Sequence, residues 1–291
     1  MRAWIVAGFL ALASASSAQA QTNSDELVVT GERLREMVRS FVDEVAPPEL
    51  SEDQLARWNS RYCPLLAGLP ARPAQYLVDR MSQRAFELGL RPGDENCRPN
   101  VLVFVTPDAG VLAQALADDH DLMAYYNNGE YGNSLGRDAL LEFVSSTAPV
   151  RWWHVAQTVD QRGGIIDGDG DVVVADGTRL HRATRQDFNR VMVIVDARQA
   201  DGLRLEALAD YLAMVTLAQL DARASVADLP TILNVFADRD LGRPGPTQLT
   251  DWDRAYLEGL YRAPRNANNT GTQERAIARR MEGELREDPR E

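Results

Sequence analysis

The sequence predicts an α/β (α+β) fold, in which a parallel β-α-β unit and antiparallel strands form one mixed sheet packed on helices. Three observations support this fold class. Strand-like and helix-like segments alternate from Tyr62 to Ala117, which is typical of a right-handed β-α-β unit. The segments Asn100 to Thr106 and Arg190 to Asp196 are strongly apolar, as in strands buried on both faces. The stretch from Leu203 to Leu220 has the apolar pattern of a buried helix.

The first twenty residues have the features of a secretory signal. Arg2 is a short positive region, Trp4 to Leu12 is apolar, and Ala18-Gln19-Ala20 is a small-x-small cleavage site. The apolar run is shorter than the about 20 residues that a bilayer-spanning helix needs. We therefore expect residues 1–20 to be a signal peptide, and the protein to be periplasmic or secreted without stable membrane insertion.

The charge of the chain excludes some classes of partner. The formal net charge is −12, and every one of the 31 basic residues is arginine. Nucleic acids and anionic membrane surfaces repel a protein with this balance. The sequence therefore predicts no nucleic-acid partner.

The two cysteines, Cys63 and Cys97, are expected to form a disulfide, because thiols in an oxidising compartment usually pair. Cys63 lies in the first predicted strand and Cys97 lies just before the second, so a bond would join neighbouring strands at one end. Two buried free thiols are the alternative. A metal site is disfavoured, because neither cysteine has a second Cys or His at ligand spacing.

The N-terminal part, residues 21–48, is predicted to hold a short strand and a helix. The strand is the DELVVTG segment, Asp25 to Gly31, and the helix has apolar residues at helical spacing until Pro47-Pro48. A single α/β domain should follow over residues 49–262. Its first half is predicted to contain, in order, a helix from Ser51 to Trp58, a strand from Tyr62 to Leu69, a helix from Pro73 to Leu88, the strand to Thr106 and a helix from Asp108 to Ala117.

The second half of the domain begins with a tyrosine-rich loop, His120 to Gly136, which is either a binding rim or a plain surface connection. The segments predicted after it are a helix from Arg137 to Ser145, a strand from Pro149 to Asp160, a hairpin from Ile165 to Leu180, the strand to Asp196, the buried helix, and a helix from Thr250 to Tyr261. Thr250 is the predicted N-cap of the last helix. Residues 263–291 are predicted to be a charged helical tail.

Most motifs of catalytic sites are absent from the sequence. Asp167, Asp169 and Asp171 begin like a calcium loop, but Val172 and Thr178 occupy the required Gly and Glu positions, which favours a hairpin turn. There is no nucleophile elbow, P-loop or dinucleotide-binding glycine motif.

The candidate site residues are Glu206 and Asp210, one turn apart on the predicted buried helix, and His154, beside two tryptophans. A carboxylate on an apolar helix is either paired with arginine as a structural element or is a functional group. His154 is either a packed structural histidine or an assisting group.

The C-terminal part of the chain carries a resemblance to a known family. Ile232 to Phe236, Leu249 to Arg254 and Leu257 to Tyr261 resemble the end of a family of secreted bacterial zincin-like proteins of unknown function. The segments RYCPLLAGLP and CRPN are similar to those of uncharacterised secreted bacterial proteins. The order of elements is also similar to that of zincin metallopeptidases, whose buried helix carries the zinc motif.

The zinc motif itself is missing. A zincin helix needs two ligands one turn apart and a glutamate that activates water. With Glu206 or Asp210 in the glutamate position, the ligand positions hold Leu205 and Ala209, or Ala209 and Ala213. The resemblance therefore implies the scaffold without zinc or another cofactor.

From these observations we expect a non-catalytic envelope or periplasmic protein that binds a peptide or another envelope protein, with the ligand laid along a sheet edge. The alternative is a peptidase-like hydrolase with an unconventional site around Glu206 and Asp210, assisted by His154.

Overall fold

A computed structural model of the chain describes residues 22–47, 54–94, 96–123, 136–166, 181–227 and 229–287. Within these residues, one sheet has the strand order β1-β2-β4-β3. The strands are β1 (Pro64–Ala67), β2 (Val101–Thr106), β3 (Val150–Asp160) and β4 (Thr184–Asp196). β1, β2 and β4 are parallel, and β3 pairs antiparallel with β4. The predicted α/β class and the mixed sheet are therefore confirmed.

Helices cover both faces of this sheet. They are α1 (Thr22–Val45), α2 (Ala71–Glu87), α3 (Ala109–Ala117), α4 (His120–Met123), α5 (Gly136–Ser145), α6 (Ala197–Ala200), α7 (Leu205–Leu217), α8 (Val235–Asp240), α9 (Asp251–Arg262) and α10 (Thr270–Glu287), with a 3-10 turn at Ile232–Asn234. No helix in the described ranges has the length and apolar character needed to cross a membrane.

The central strands bury side chains on both faces, as their apolar sequences predict. In β2, Val101 and Val103 face the larger core, while Leu102 and Phe104 pack against the smaller core on the other side. β4 alternates in the same way. Successive side chains of a strand point to opposite faces, so only a strand covered on both sides can be apolar throughout.

The predicted buried helix is α7, and it lies in the larger core. Every residue from Ala207 to Leu217 is buried. α7 packs against α2, the helix that connects β1 to β2. A helix with apolar residues around its circumference requires this position, because a surface helix keeps one polar face.

The predicted disulfide between Cys63 and Cys97 is present, with a Cα–Cα distance of 6.2 Å. Cys63 immediately precedes β1, and Cys97 lies in the connection to β2. Asn100 strengthens this end of the strand pair, because its side chain accepts from the Cys63 amide at 2.9 Å and donates to the Arg61 carbonyl at 2.7 Å. The bond therefore links the connections that enter two neighbouring parallel strands.

The predicted N-terminal strand is wrong. Residues Asp25 to Gly31 belong to α1, which continues without a break from Thr22 to Val45. The core contacts of Val38, Phe41 and Val42 fix the second half of this helix. Once a helix is nucleated, each added residue gains a hydrogen bond, so it extends toward the N-terminus in the absence of a proline.

The predicted helix from Ser51 to Trp58 is also wrong over its described part, which begins at Gln54. Two backbone amides that would donate within a helix donate to distant side chains instead. Leu55 donates to Gln273 at 2.7 Å, and Ala56 donates to Gln219 at 2.8 Å. Two buried glutamine side chains thus accept the backbone hydrogen bonds of this irregular segment. Both glutamines are distant in sequence, so a local capping pattern cannot indicate these contacts.

Helix capping and burial of apolar side chains fix the two C-terminal helices. Thr250 is the N-cap of α9, as predicted, and forms a capping box with Asp253. The charged segment after α9 forms α10, whose Ile277 and Met281 are fully buried in the larger core. This helix packs against α9 and α1.

Several predicted features lie outside the described residues. They are the signal peptide, Ser51, residues 124–135 of the tyrosine-rich loop, and the aspartate-rich turn with most of its hairpin.

We predict that Gly68→Ala destabilises the fold far more than Gly242→Ala. Both glycines have positive φ, 97° and 66°, which costs an alanine about 1 kcal/mol. A Cβ on Gly68 would also lie 1.9 Å from the Val105 carbonyl oxygen, whereas one on Gly242 meets nothing within 4 Å. Urea unfolding should show a loss of ~3 kcal/mol or more for Gly68→Ala. Equal losses for the two variants would contradict this packing of β1 against β2.

Candidate functional site

Asp210 is the most strongly bound carboxylate on α7. Arg80 donates through Nε at 2.7 Å and Nη2 at 2.9 Å, and Arg84 donates through the same atoms at 3.0 and 3.1 Å. The Leu249 amide donates a fifth hydrogen bond at 2.8 Å. The side chain of Asp210 is 0% exposed. Its oxygens therefore have no room for a water molecule or a substrate.

This arrangement results from the helical spacing of the two arginines. Arg80 and Arg84 lie one turn apart on α2, so both guanidinium groups reach the same point of α7. Burial alone would raise the pKa of Asp210, but the two guanidinium groups and the Leu249 amide outweigh burial and hold the pKa below its ordinary value. Asp210 is thus ionised and serves as a link between α2, α7 and the segment before α9.

The other two candidate residues do not join Asp210 in a cleft. Glu206 lies at the exposed start of α7, where its carboxylate is 3.5 Å from Arg204. His154 is fully buried in β3, and its Nε2 hydrogen-bonds the Val215 carbonyl at 2.8 Å. Burial lowers the pKa of His154 to about 4, so the ring is neutral at pH 7. The sequence-based candidates therefore occupy three different environments.

The positions that would hold zinc carry alkyl groups in the folded protein as well. Ala209 and Ala213 are fully buried, and Leu205 is at the helix start. In the part of the chain that the structure describes, no group of three His, Cys, Asp or Glu side chains could hold a metal ion.

Asp253, in the first turn of α9, is a second buried carboxylate. It accepts from the Thr231 hydroxyl at 2.6 Å and from the Ile232 and Thr250 amides at 2.8 Å. Burial raises the pKa of Asp253, because its partners are neutral donors. It fixes the start of α9 to the 3-10 turn, which is a structural role.

A large groove lies beside the Asp210 network but does not reach it. Its volume is about 1030 Å³, and it runs between α2, α9 and α10. Arg84 lines this groove, while Asp210 lies behind the arginine. The groove walls have mixed charge, with Arg84 and Arg254 facing Glu258 and Glu284. This groove therefore gives a ligand no access to the α7 carboxylate.

A smaller cavity at the start of β3 has the features of a ligand site, and we call it the Arg151 pocket. Its volume is about 240 Å³. Its walls are α5, the first residues of β3, and the loop after α7; they include Asp138, Glu142, Phe143, Arg151, Trp152, Trp153, Asp221 and Arg223. This pocket could not be predicted from the sequence, because its walls are far apart in the chain and also include Pro47.

Arg151 is 6% exposed and caps the end of α5. Its Nη1 donates to the carbonyls of Phe143 at 3.2 Å and Val144 at 3.1 Å. Its Nε is buried and finds no acceptor among the described residues. Burial lowers the pKa of Arg151, against the weaker attraction of Asp196 and Glu142. The cap therefore uses only part of the hydrogen-bonding capacity of this guanidinium.

The aromatic walls of the pocket are fixed by hydrogen bonds. The Trp153 indole donates to the Met123 carbonyl at 2.9 Å, and the Trp152 indole donates to the Leu220 carbonyl at 3.2 Å. Phe143 contacts Trp153 with ring centroids 6.2 Å apart. Rigid aromatic walls bind an apolar group with little loss of side-chain entropy. The pocket thus combines a buried cation with fixed apolar surfaces.

Comparisons of the chain with protein-family models, curated proteins and solved structures found no match.

We predict that Asp210→Asn lowers the free energy of unfolding at pH 7 by ~3 kcal/mol, because two arginines then lose a buried ionic partner. Glu206→Gln, one turn earlier and exposed, should change it by less than ~0.5 kcal/mol. The pKa of folded Asp210 is below the unfolded value of 3.8, so its contribution is present above that pH and is lost as the pH falls further. The difference between wild type and Asp210→Asn should therefore shrink in acid.

Urea unfolding at pH 7 and at pH 3 measures both effects. An Asp210→Asn variant as stable as wild type would contradict the assignment of Asp210 as an ionised structural link. A stability difference that grows in acid would contradict it as well.

Proposed function

We propose that this chain is an exported, non-catalytic protein on a zincin-like scaffold, and that it binds the C-terminal end of a peptide in the Arg151 pocket. The observation that carries the proposal is the guanidinium of Arg151. It is buried beside a cavity, and no described carboxylate forms a salt bridge with it. A buried guanidinium donor without an acceptor among the described residues is costly, and a ligand carboxylate would relieve that cost.

Export is supported by the signal-like first twenty residues and by the disulfide between Cys63 and Cys97. Disulfides persist in oxidising compartments and are rare in the cytosol. We place the protein in the periplasm or outside the cell on these two grounds.

Binding is favoured over catalysis by the state of the α7 carboxylate. A general base must reach its substrate or an attacking water, and Asp210 is bound by two arginines and the Leu249 amide. Its lowered pKa also makes it a poor proton acceptor. Glu206, at the helix start, is 3.5 Å from the guanidinium of Arg204, which stabilises its ionised form.

The volume and charges of the Arg151 pocket indicate which C-terminal residue of a peptide it would bind. A volume of about 240 Å³ holds one medium-sized side chain and its carboxylate. Phe143 and Trp153 favour an apolar last residue. Asp138 and Glu142 on α5 line the same pocket, and they favour a cationic group further along the ligand.

The position of the pocket on the sheet supports a peptide rather than an isolated small acid. β3 is the last strand in the order of the sheet, and near its C-terminal end Val159 bridges to Ile165. An extended peptide can add to such an edge through backbone hydrogen bonds. Its last residue would then enter the pocket beside Arg151 and Trp153.

We predict that a tetrapeptide with an N-terminal lysine and a free C-terminal leucine binds the mature protein, and that amidation of its C-terminus weakens binding at least tenfold. A charge-assisted hydrogen bond contributes about 1.5–3 kcal/mol, which corresponds to a factor of about 10 to 100. Isothermal titration calorimetry measures both affinities. Binding of neither peptide, or equal binding of both, would refute the proposal.

Two variants locate the binding site. Arg151→Gln should abolish the preference for the free carboxylate, but it also removes the α5 cap. Ala148→Leu is therefore the second variant, since it narrows the pocket and leaves Arg151 in place. Arg72→Gln, on the exposed start of α2, is the matched control for the loss of one positive charge and should bind like wild type.

A further inference from the structure

A second pocket, which we call the Arg57 pocket, is lined by arginines in a protein that is acidic overall. Its volume is about 390 Å³. It lies between the segment before β1, the end of α2 and the residues after α9; its lining includes Arg57, Asn59, Arg61, Arg91, Tyr261 and Arg265. Among the described residues, no carboxylate contributes to this lining. Four arginines are thus concentrated in one pocket of a chain whose net charge is −12.

Arg57 is the innermost of these arginines, with an exposure of 3%. Its Nη1 donates to the Leu260 carbonyl at the end of α9. Its Nη2 is buried and has no acceptor within the described part of the chain. The guanidinium therefore keeps an unused donor next to the pocket.

The carboxylate that attracts Arg57 is already bound by other side chains. Burial, together with repulsion from Arg265, lowers the pKa of Arg57 to about 10. Asp187 attracts Arg57, but Arg185 binds that carboxylate at 2.9 and 3.1 Å, and Asn59 also donates to it. The nearest carboxylate is thus already shared.

The remaining arginines of the pocket differ in their ionic partners. Arg61 pairs with Asp94 at 3.0 Å, on the exposed side. Arg91 and Arg265, like Arg57, form no salt bridge with any described residue. Arg265 repels the buried Arg57 across this pocket, and a bound anion would reduce that repulsion.

We propose that the Arg57 pocket is a binding site for a phosphate group, separate from the peptide site. Several guanidinium groups around one cavity match an oxyanion with two negative charges, because each planar guanidinium can donate two parallel hydrogen bonds to its oxygens. A volume of about 390 Å³ exceeds that of a phosphate ion, so the pocket also accommodates a phosphate monoester. The phosphate is therefore either free or part of a lipid headgroup.

The test uses the mature protein and compares wild type with Arg91→Gln/Arg265→Gln. The side chains of Arg91 and Arg265 are exposed and form no salt bridge with a described residue, so the double variant should fold normally, which circular dichroism checks. Arg72→Gln, at the opposite end of α2, again controls for the loss of positive charge. Calorimetric titration with inorganic phosphate and with glycerol 3-phosphate, in low-chloride buffer at constant ionic strength, gives the affinities. Flotation with phosphatidic acid vesicles tests a lipid source.

We expect phosphate or glycerol 3-phosphate to bind wild type and Arg72→Gln equally, and the double variant at least tenfold more weakly. Binding confined to phosphatidic acid vesicles, with the same dependence on Arg91 and Arg265, would support the phosphate site and assign it to a lipid headgroup. No binding of any of the three ligands, or binding that the double variant retains, would overturn the proposal.

The proposals of a phosphate site and of a peptide site can be refuted independently. Arg151→Gln should bind phosphate like wild type, and the double variant should still prefer the free-carboxylate peptide. Loss of phosphate binding in Arg151→Gln, with its fold intact, would show that the phosphate had been bound in the Arg151 pocket, which would refute the assignment to the Arg57 pocket.

Discussion

The paired hydrogen bonds of Arg80 and Arg84 to Asp210 are the interaction on which the arrangement of this core depends. A carboxylate in the middle of an apolar helix can be buried only if charges of opposite sign accompany it. The two arginines of α2 supply those charges, and the Leu249 amide adds a contact to the segment that leads into α9. One carboxylate thus fixes the relative positions of three parts of the chain.

This constraint also decides where a ligand can bind. α7 lies at the centre of the larger core, and its carboxylate has no free oxygen for chemistry. Two buried guanidinium donors lie elsewhere, on Arg151 in β3 and on Arg57 beside the end of α9. Both are buried arginines with a donor that lacks an acceptor within the described residues, and each is next to a cavity. The protein therefore combines a closed centre with two peripheral cavities, each lined by a buried arginine.

Much of the fold could be predicted from the sequence, since local pattern and order determine it. The parallel strand pair, the disulfide, the buried helix and the Thr250 cap all follow from short segments. The strand at Asp25 and the helix after Ser51 were wrong because tertiary contacts decide those segments. The pockets could not be predicted, because Arg57 meets Arg265, and Phe143 meets Trp153, only when the chain is folded. For Arg151, the available signal was a basic residue inside the predicted strand from Pro149 to Asp160, next to Trp152 and Trp153.

A crystal structure of the mature protein with the free-carboxylate peptide tests the central claim most directly. The account predicts that the peptide carboxylate lies within hydrogen-bond distance of the Arg151 guanidinium, with the last side chain against Phe143 and Trp153. A peptide bound in the groove beside Arg84, with Asp210 released from its arginines and directed at the peptide, would contradict it.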